Sequence, residues 1–370
     1  GTGNVGVGRS ALRCNTTASS NTAVGNAALC LNTTGAENVA VGKDALKLNT
    51  TGGGNTAIGM FALDSNTTAD NNSAFGNGVL AANTTGTSNT AVGKNALEAN
   101  TTANNNTAVG KNALGANTTG ANNVAVGQEA LAANTTAGNN TAVGRVALDA
   151  NTTGTANVAV GTNALGTSTT ASENTAVGNA ALFATTTGAD NVGIGASALD
   201  STTTGGENTA IGHQAGHNLT TGVNNTLLGH EAGTDAVANV VASNGNIVIG
   251  NNYSASAKIK IDWTVTSDLR DKTEIESVPH GLNFVNQITP IKYRFKTSRE
   301  NDTPNGVTRY GFKAQEILAL EGENPVLVDN GDTDNLKLTG AYLLPVLVNA
   351  IKELKAENDS LKTRIENLEG

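Results

Sequence analysis

The chain has 370 residues and a formal net charge of −9, so it lacks the excess of Lys and Arg from which a nucleic-acid footprint is built. Aromatic side chains are only 3% of it while Gly fills 44 positions, which excludes a conventional globular core of bulky residues. It contains no run of eighteen apolar residues, so membrane insertion is not expected, and no residue cluster calls for a cofactor or a metal. The opening residues already belong to a repeat and show no charged-then-apolar signal pattern, so the chain reads as a piece of a longer protein.

From Asn4 to Asn225 the phrase Asn-Thr/Val-Ala-Val-Gly returns every seventeen residues, fourteen copies without a break in register. At such a period each copy is one supersecondary unit, stable only against the copies on either side. Counting places from the first Asn of each copy, the fourth is always apolar (Val24, Val41, Ile58, Phe75) and the fifth always Gly. The eighth and ninth are nearly always Ala-Leu, and the twelfth to fourteenth mostly Asn-Thr-Thr. Places two to four read as a short strand, with the fourth pointing inward and the small third on the other face. Gly at the fifth place turns the chain, a second segment carries the Leu inward, and Asn-Thr-Thr makes the return corner by bonding turn backbone locally.

The fold expected over residues 1–233 is therefore a mainly β architecture, a parallel β-solenoid or β-roll with one turn per repeat. At about 4.8 Å per turn it makes a shaft on the order of 65 Å long. Its small third and eighth places either fit a thin coil or line a seam between chains. Cys14 and Cys30 stand at the eleventh and tenth places of successive copies, on opposite faces of a stacked strand, so no intrachain disulfide is expected. His213 and His230 share one repeat place, with His217 close by; in an assembly they could ring a metal, and exposed corner histidines are the plainer reading. The repeated phrase resembles the head repeats of trimeric autotransporter adhesins, whose period is shorter, and the repeats of bacteriophage tail fibres.

Regularity fails after Gly233, since the next phrase, Asn246 to Gly250, follows its predecessor by 21 residues. Residues 234–266 read as the shaft end and a connector, with one strand over Lys258–Trp263. From Ser267 to Gly370 the composition shifts to Lys, Arg and Glu, marking a second domain of α+β type. Its last segment, from about residue 343, is a long helix. There Leu347, Ile351, Leu354, Asn358, Leu361, Ile365 and Leu368 are spaced alternately four and three, a heptad seam in which Asn358 would set register. Those heptads suit two strands as well as three.

Ser267-Asp268-Leu269-Arg270-Asp271-Lys272 opens this domain. A serine becomes a nucleophile when a base takes its proton, and a Lys of depressed pKa can be that base. Five residues apart, the two side chains stand about 140° apart on an ideal helix and would not meet there. On these residues alone the plain reading is a helix N-cap at Ser267 with exposed charges following.

The wider context points elsewhere. SDLRDKTEIESV, GLNFVNQITPIKYRFK, RYGFKAQEIL and LTGAYLLPVLVNAIKELKAENDSLKTRIENL, in that order and spacing, resemble the endosialidase-type intramolecular chaperones, a family of self-cleaving peptidases. The resemblance implies a C-terminal domain that trimerises, templates the fibre ahead of it and is then released. Carried onto this chain, it implies Ser267 as nucleophile, Lys272 as its base, Thr266–Ser267 as the bond cut, and Asp268 and Arg270 as positioning residues. The function expected is a homotrimeric virion fibre that meets a host cell-surface receptor, with a bacterial surface adhesin as the alternative. An ice-binding or other surface-binding solenoid is a lesser alternative, suggested by the Thr columns. A glycan-degrading spike is disfavoured, because the repeat carries no recurring pair of carboxylates.

Overall fold

The computed structural model describes residues 1–234, 238–251, 254, 267–296, 299, 301–331, 333 and 336–369. It divides into two compact units, Gly1–Tyr253 and Ser254–Gly370. The strand expected at Lys258–Trp263 lies outside the described residues, as does Thr266.

The first unit is a mainly β parallel solenoid. One three-residue strand per turn, from β1 (Val5–Val7) and β2 (Thr22–Val24) to β14 (Thr226–Leu228), pairs in parallel with the strand seventeen residues on. The sheet continues past Gly233. A further strand, β15 (Ile247–Ile249), pairs with β14 at a step of 21 residues, Thr226 facing Ile247, so the four extra residues enlarge a loop without ending the stack.

The two faces of the strand are the reverse of the expected arrangement. The third-place Ala is the buried one, as at Ala23, Ala40 and Ala108, while the second and fourth places lie on the outer face; Ile211 is 39% exposed. Alternation along a strand was legible, but its phase depends on the width of the coil. The interior opposite the strand is filled by the eighth-place Ala and ninth-place Leu, such as Ala28 and Leu29, both fully enclosed, which leaves room only for a methyl group on the strand side. The small residues thus serve a thin coil, and neither column is open to a neighbouring chain.

Tight turns impose left-handed backbone at fixed places. Gly25 has φ 141°, and a methyl built on it would lie 2.4 Å from the carbonyl oxygen of Gly42 one turn on, so the fifth place admits only Gly. The ninth-place Leu is also left-handed (Leu29, φ 50°), a conformation costing about 1–2 kcal/mol. Full burial of a Leu side chain offsets it with about 1.5–3 kcal/mol.

Two columns of buried Asn run through the coil. At the first place Asn21 Oδ1 accepts from the backbone N–H of Asn38 (2.9 Å), and Asn38 Nδ2 donates to the carbonyl of Gly52 (2.9 Å). At the twelfth place Asn49 Nδ2 donates to Asn32 Oδ1 (2.8 Å) and to the same Gly52 carbonyl (2.9 Å). The corner Asn therefore bonds between turns as well as locally, and a polar interior is stable because these amides pair with one another and with backbone, Asn151 Oδ1 excepted. The thirteenth-place Thr hydroxyls are used likewise, Thr33 Oγ1 donating to the carbonyl of Thr50 at 2.9 Å. These hydroxyls stitch successive turns together, while the fourteenth-place Thr beside them, such as Thr34 and Thr51, lie exposed.

The second unit packs short elements around Phe284, Ile317, Leu327, Val328, Leu343 and Val346. In chain order these are α1 (Leu282–Gln287), the antiparallel pair β16 (Ile291–Lys296) and β17 (Pro304–Gly311), α2 (Ala314–Glu321), the short pair β18 (Val328–Asp329) and β19 (Lys337–Leu338), and α3 (Leu343–Glu369). Two carboxylates hold backbone ends. Glu321 accepts from the N–H groups of Val326, Leu327 and Val328 at 2.9, 2.7 and 3.1 Å. Glu353 of α3 accepts from the N–H of Leu282, the first residue of α1, at 2.6 Å.

Candidate active site

Ser267 and Lys272 meet. Lys272 Nζ donates to Ser267 Oγ at 2.8 Å and to the Ser267 carbonyl at 3.2 Å. The helical separation that would have kept them apart does not apply, because only Leu269–Asp271 are helical, in a single 3-10 turn, and Lys272 leaves it with extended backbone (φ −118°, ψ 141°). The side chain of Lys272 therefore folds back along the turn toward its start.

Ser267 is not the helix cap. That role belongs to Asp268, whose Oδ1 accepts from the N–H of Arg270 at 2.9 Å. The Arg270 guanidinium also grips this carboxylate with two nitrogens, Nε to Oδ1 at 3.0 Å and Nη2 to Oδ2 at 2.6 Å. The guanidinium hydrogen bonds, aided by the backbone one, hold the Asp268 carboxyl below its ordinary range, and Asp268 raises Arg270 in return. The clasp closes the turn that brings Lys272 back to Ser267. Both Ser267 and Lys272 are exposed within the chain, so water is free to reach the pair.

The heptad residues all fall on α3. Leu347 packs against the core of the second unit, whereas Ile351, Leu354, Leu361, Ile365 and Leu368 are exposed, and Asn358 Nδ2 donates to the carbonyl of Leu354 at 3.3 Å within the helix. Glu353 and Asn349, which tie α3 to α1 through Leu282 and the His280 carbonyl, were not legible in the sequence, because charged and amide residues on a helix otherwise read as solvated.

Elsewhere, His213 and His230 stack with ring centroids 5.1 Å apart, and His217 Nδ1 lies 2.5 Å from Asp200 Oδ1. Among the described residues no three His, Cys, Asp or Glu side chains are grouped to hold a metal ion, and no helix is long and apolar enough to cross a membrane. Cys14 and Cys30 are free thiols.

No curated protein matches this chain significantly in sequence. The family model described as chaperone of endosialidase matches residues 267–326, beginning at Ser267 itself and running through α1, the β16–β17 pair and α2. The chain thus carries a domain of the chaperone-of-endosialidase family at residues 267–326, preceded in sequence by a parallel β-solenoid of about fourteen turns.

Proposed function

We propose that this chain is the shaft of a homotrimeric virion fibre, a bacteriophage tail fibre that engages a host cell-surface receptor, and that its C-terminal domain templates the trimer and then releases itself. The observation that carries the reading is the 2.8 Å approach of Lys272 Nζ to Ser267 Oγ at the first residue of the chaperone match.

The reaction follows from those atoms. A neutral Lys272 takes the proton of Ser267 Oγ, and the oxygen attacks the carbonyl carbon of Thr266. The C–N bond to Ser267 breaks as its nitrogen takes up a proton, leaving Thr266 esterified to the Ser267 hydroxyl. Water then hydrolyses the ester to a Thr266 carboxylate and a new amino terminus at Ser267. The substrate is tethered to its nucleophile, which supplies much of the rate advantage of an intramolecular step. Use of a Lys as general base is favoured by desolvation, which the exposed pair lacks within one chain. Neighbouring copies would provide it, which gates cleavage by assembly.

Two surfaces support association of copies. On the solenoid, no charged residue occupies the second or fourth place in any of the fourteen turns, so the outer face of the sheet is a continuous column of Val, Ile, Phe, Leu, Thr and Ser. On α3, the exposed heptad stripe needs a partner helix. A template is required because a solenoid of near-identical turns can pair copies a whole turn out of register. The test is intact-mass analysis and a denaturing gel of wild type beside Ser267→Ala. Wild type should yield two fragments divided between Thr266 and Ser267 while the variant stays at 37.1 kDa, and an uncut wild type would refute self-cleavage.

A further inference from the structure

The twelfth place of the repeat is Asn in nine successive turns, Asn15 to Asn151, and then becomes Ser168, Thr185, Thr202 and Leu219. Each interior Asn of this column uses its amide twice, donating to the Asn Oδ1 one turn back and to the fifteenth-place carbonyl of its own turn; Asn100 does so to Asn83 Oδ1 (2.9 Å) and Ala103 O (3.1 Å). Ser168 has no amide with which to continue. Among the described residues, the buried side-chain oxygens without a hydrogen-bond partner are Asp64 Oδ1, Asn151 Oδ1, Ser168 Oγ and Thr185 Oγ1. Three of these stand in consecutive turns of this one column, on residues that are fully enclosed. Thr202 Oγ1 donates to the carbonyl of Leu219 at 3.0 Å, and Leu219 is apolar, so the unpaired stretch ends there.

The acceptors that the missing amide would have served remain in place. A methyl built on Gly35 would lie 2.2 Å from Gly52 O and 2.6 Å from Asn32 Oδ1, with Asn49 Nδ2, the donor to both oxygens, at 3.0 Å. Built on Gly154, it would lie 2.0 Å from Ala171 O and 2.6 Å from Asn151 Oδ1. The two oxygens thus have the same arrangement, and Ala171 O keeps only the first-column donor, Asn157 Nδ2 at 2.8 Å. Two acceptors face the place where the column's two-proton donor would be, and Ser168, with its enclosed and unpaired hydroxyl, occupies the twelfth place there.

We propose that a single internal water binds there, donating to Asn151 Oδ1 and Ala171 O and accepting the proton of Ser168 Oγ. It replaces the NH2 group of the absent Asn with the same two donated bonds, and its three partners are the number that buried waters typically have. The site joins the nine amide-laddered turns to the four that follow, so the ladder crosses its own interruption through solvent.

The test uses the full chain with Ser168→Asn and Ser168→Ala, read by apparent Tm at one fixed scan rate and by a high-resolution crystal structure. Wild type should show a solvent peak within about 2.7–3.2 Å of all three oxygens. Ser168→Asn should lose that peak and raise Tm by about 2 °C or more. Ser168→Ala should lower Tm by a similar amount, because the water loses its donor. A wild-type interior without the peak overturns the proposal, and so does a Ser168→Ala protein with equal or higher Tm, since deleting a truly unpaired hydroxyl is neutral or stabilising.

Discussion

Lys272 reaches the hydroxyl of Ser267 because it stands outside the 3-10 turn that separates them; its extended backbone aims the ammonium back at a residue five places earlier. Arg keeps the charge and the hydrogen-bond donors of Lys but does not deprotonate near neutral pH. Under the proposed mechanism, Lys272→Arg is therefore expected to assemble as its parent does and to cleave at least about 100-fold more slowly, the usual loss on removing a general base. Time courses of fragment appearance on a denaturing gel measure it, and a variant that cleaves at the wild-type rate would remove Lys272 from the mechanism.

The Asp268–Arg270 clasp makes its own prediction about pH. The folded pKa of Asp268 is depressed, chiefly by the Arg270 side chain, so the clasp stabilises the turn fully above the ordinary carboxylate range. That stabilisation is lost as pH falls through the lowered folded value. A carbon-detected NMR titration should place the Asp268 midpoint below that of a free Asp, and Arg270→Gln should return it toward the ordinary value. Cleavage should slow in the same variant, because the turn presenting Lys272 loses its closure.

Inside the solenoid, stability rests on paired amides. Asn100→Leu keeps the branching at Cγ but orphans Asn83 Oδ1 and one proton of Asn117 Nδ2, which donates to Asn100 Oδ1 at 3.0 Å. At about 1–3 kcal/mol for each buried unpaired group, the apparent Tm should fall by several degrees. An unchanged Tm would mean that the column does not contribute.

These cases mark what could be read from the residues and what could not. The period of seventeen is written in the positions of Asn, Gly and Leu, so a one-turn-per-repeat parallel solenoid was legible from Asn4 onward. The phase of its strand was not. Val24 looks like the core residue and Ala23 like the spacer, yet Leu29 fills the interior from the far side and only Ala23 fits opposite it. Ser267 and Lys272 were readable as residue types, while their contact depended on a helix only three residues long. Glu321 and Glu353 gave no signal, because capping a distant backbone leaves no periodic trace.

Glu321 can be tested directly. Three N–H groups converge on its carboxylate, two on Oε1 and one on Oε2. In Glu321→Gln one oxygen becomes an NH2 that faces a backbone donor, so at least one bond is replaced by a donor-donor clash. The second unit should lose about 1–3 kcal/mol, read as a lower denaturation midpoint in that unit, with the solenoid transition unmoved.

The last prediction concerns the helix that would set the register. Along α3 the apolar residues divide between two duties. Leu343, Val346 and Ala350 are buried in the second unit, whereas Ile351, Leu354, Leu361 and Ile365 face outward, with Leu368 86% exposed near the helix end. An exposed stripe this regular gains little within one chain and much in a coiled coil, where each Leu or Ile buried contributes about 1.5–3 kcal/mol. Placing Leu354→Glu and Leu361→Glu together in a Ser267→Ala background, so that every chain stays whole, puts like charges at two core layers one heptad apart, on either side of Asn358. Light scattering should give three times 37.1 kDa for the Ser267→Ala parent and a single chain mass for the triple variant, with the second unit still folded because Leu343, Val346 and Ala350 are untouched. A parent that is already monomeric would refute the homotrimer. A triple variant that stays trimeric would assign assembly to the outer face of the solenoid sheet, and the C-terminal helix could not then be the element that aligns the turns.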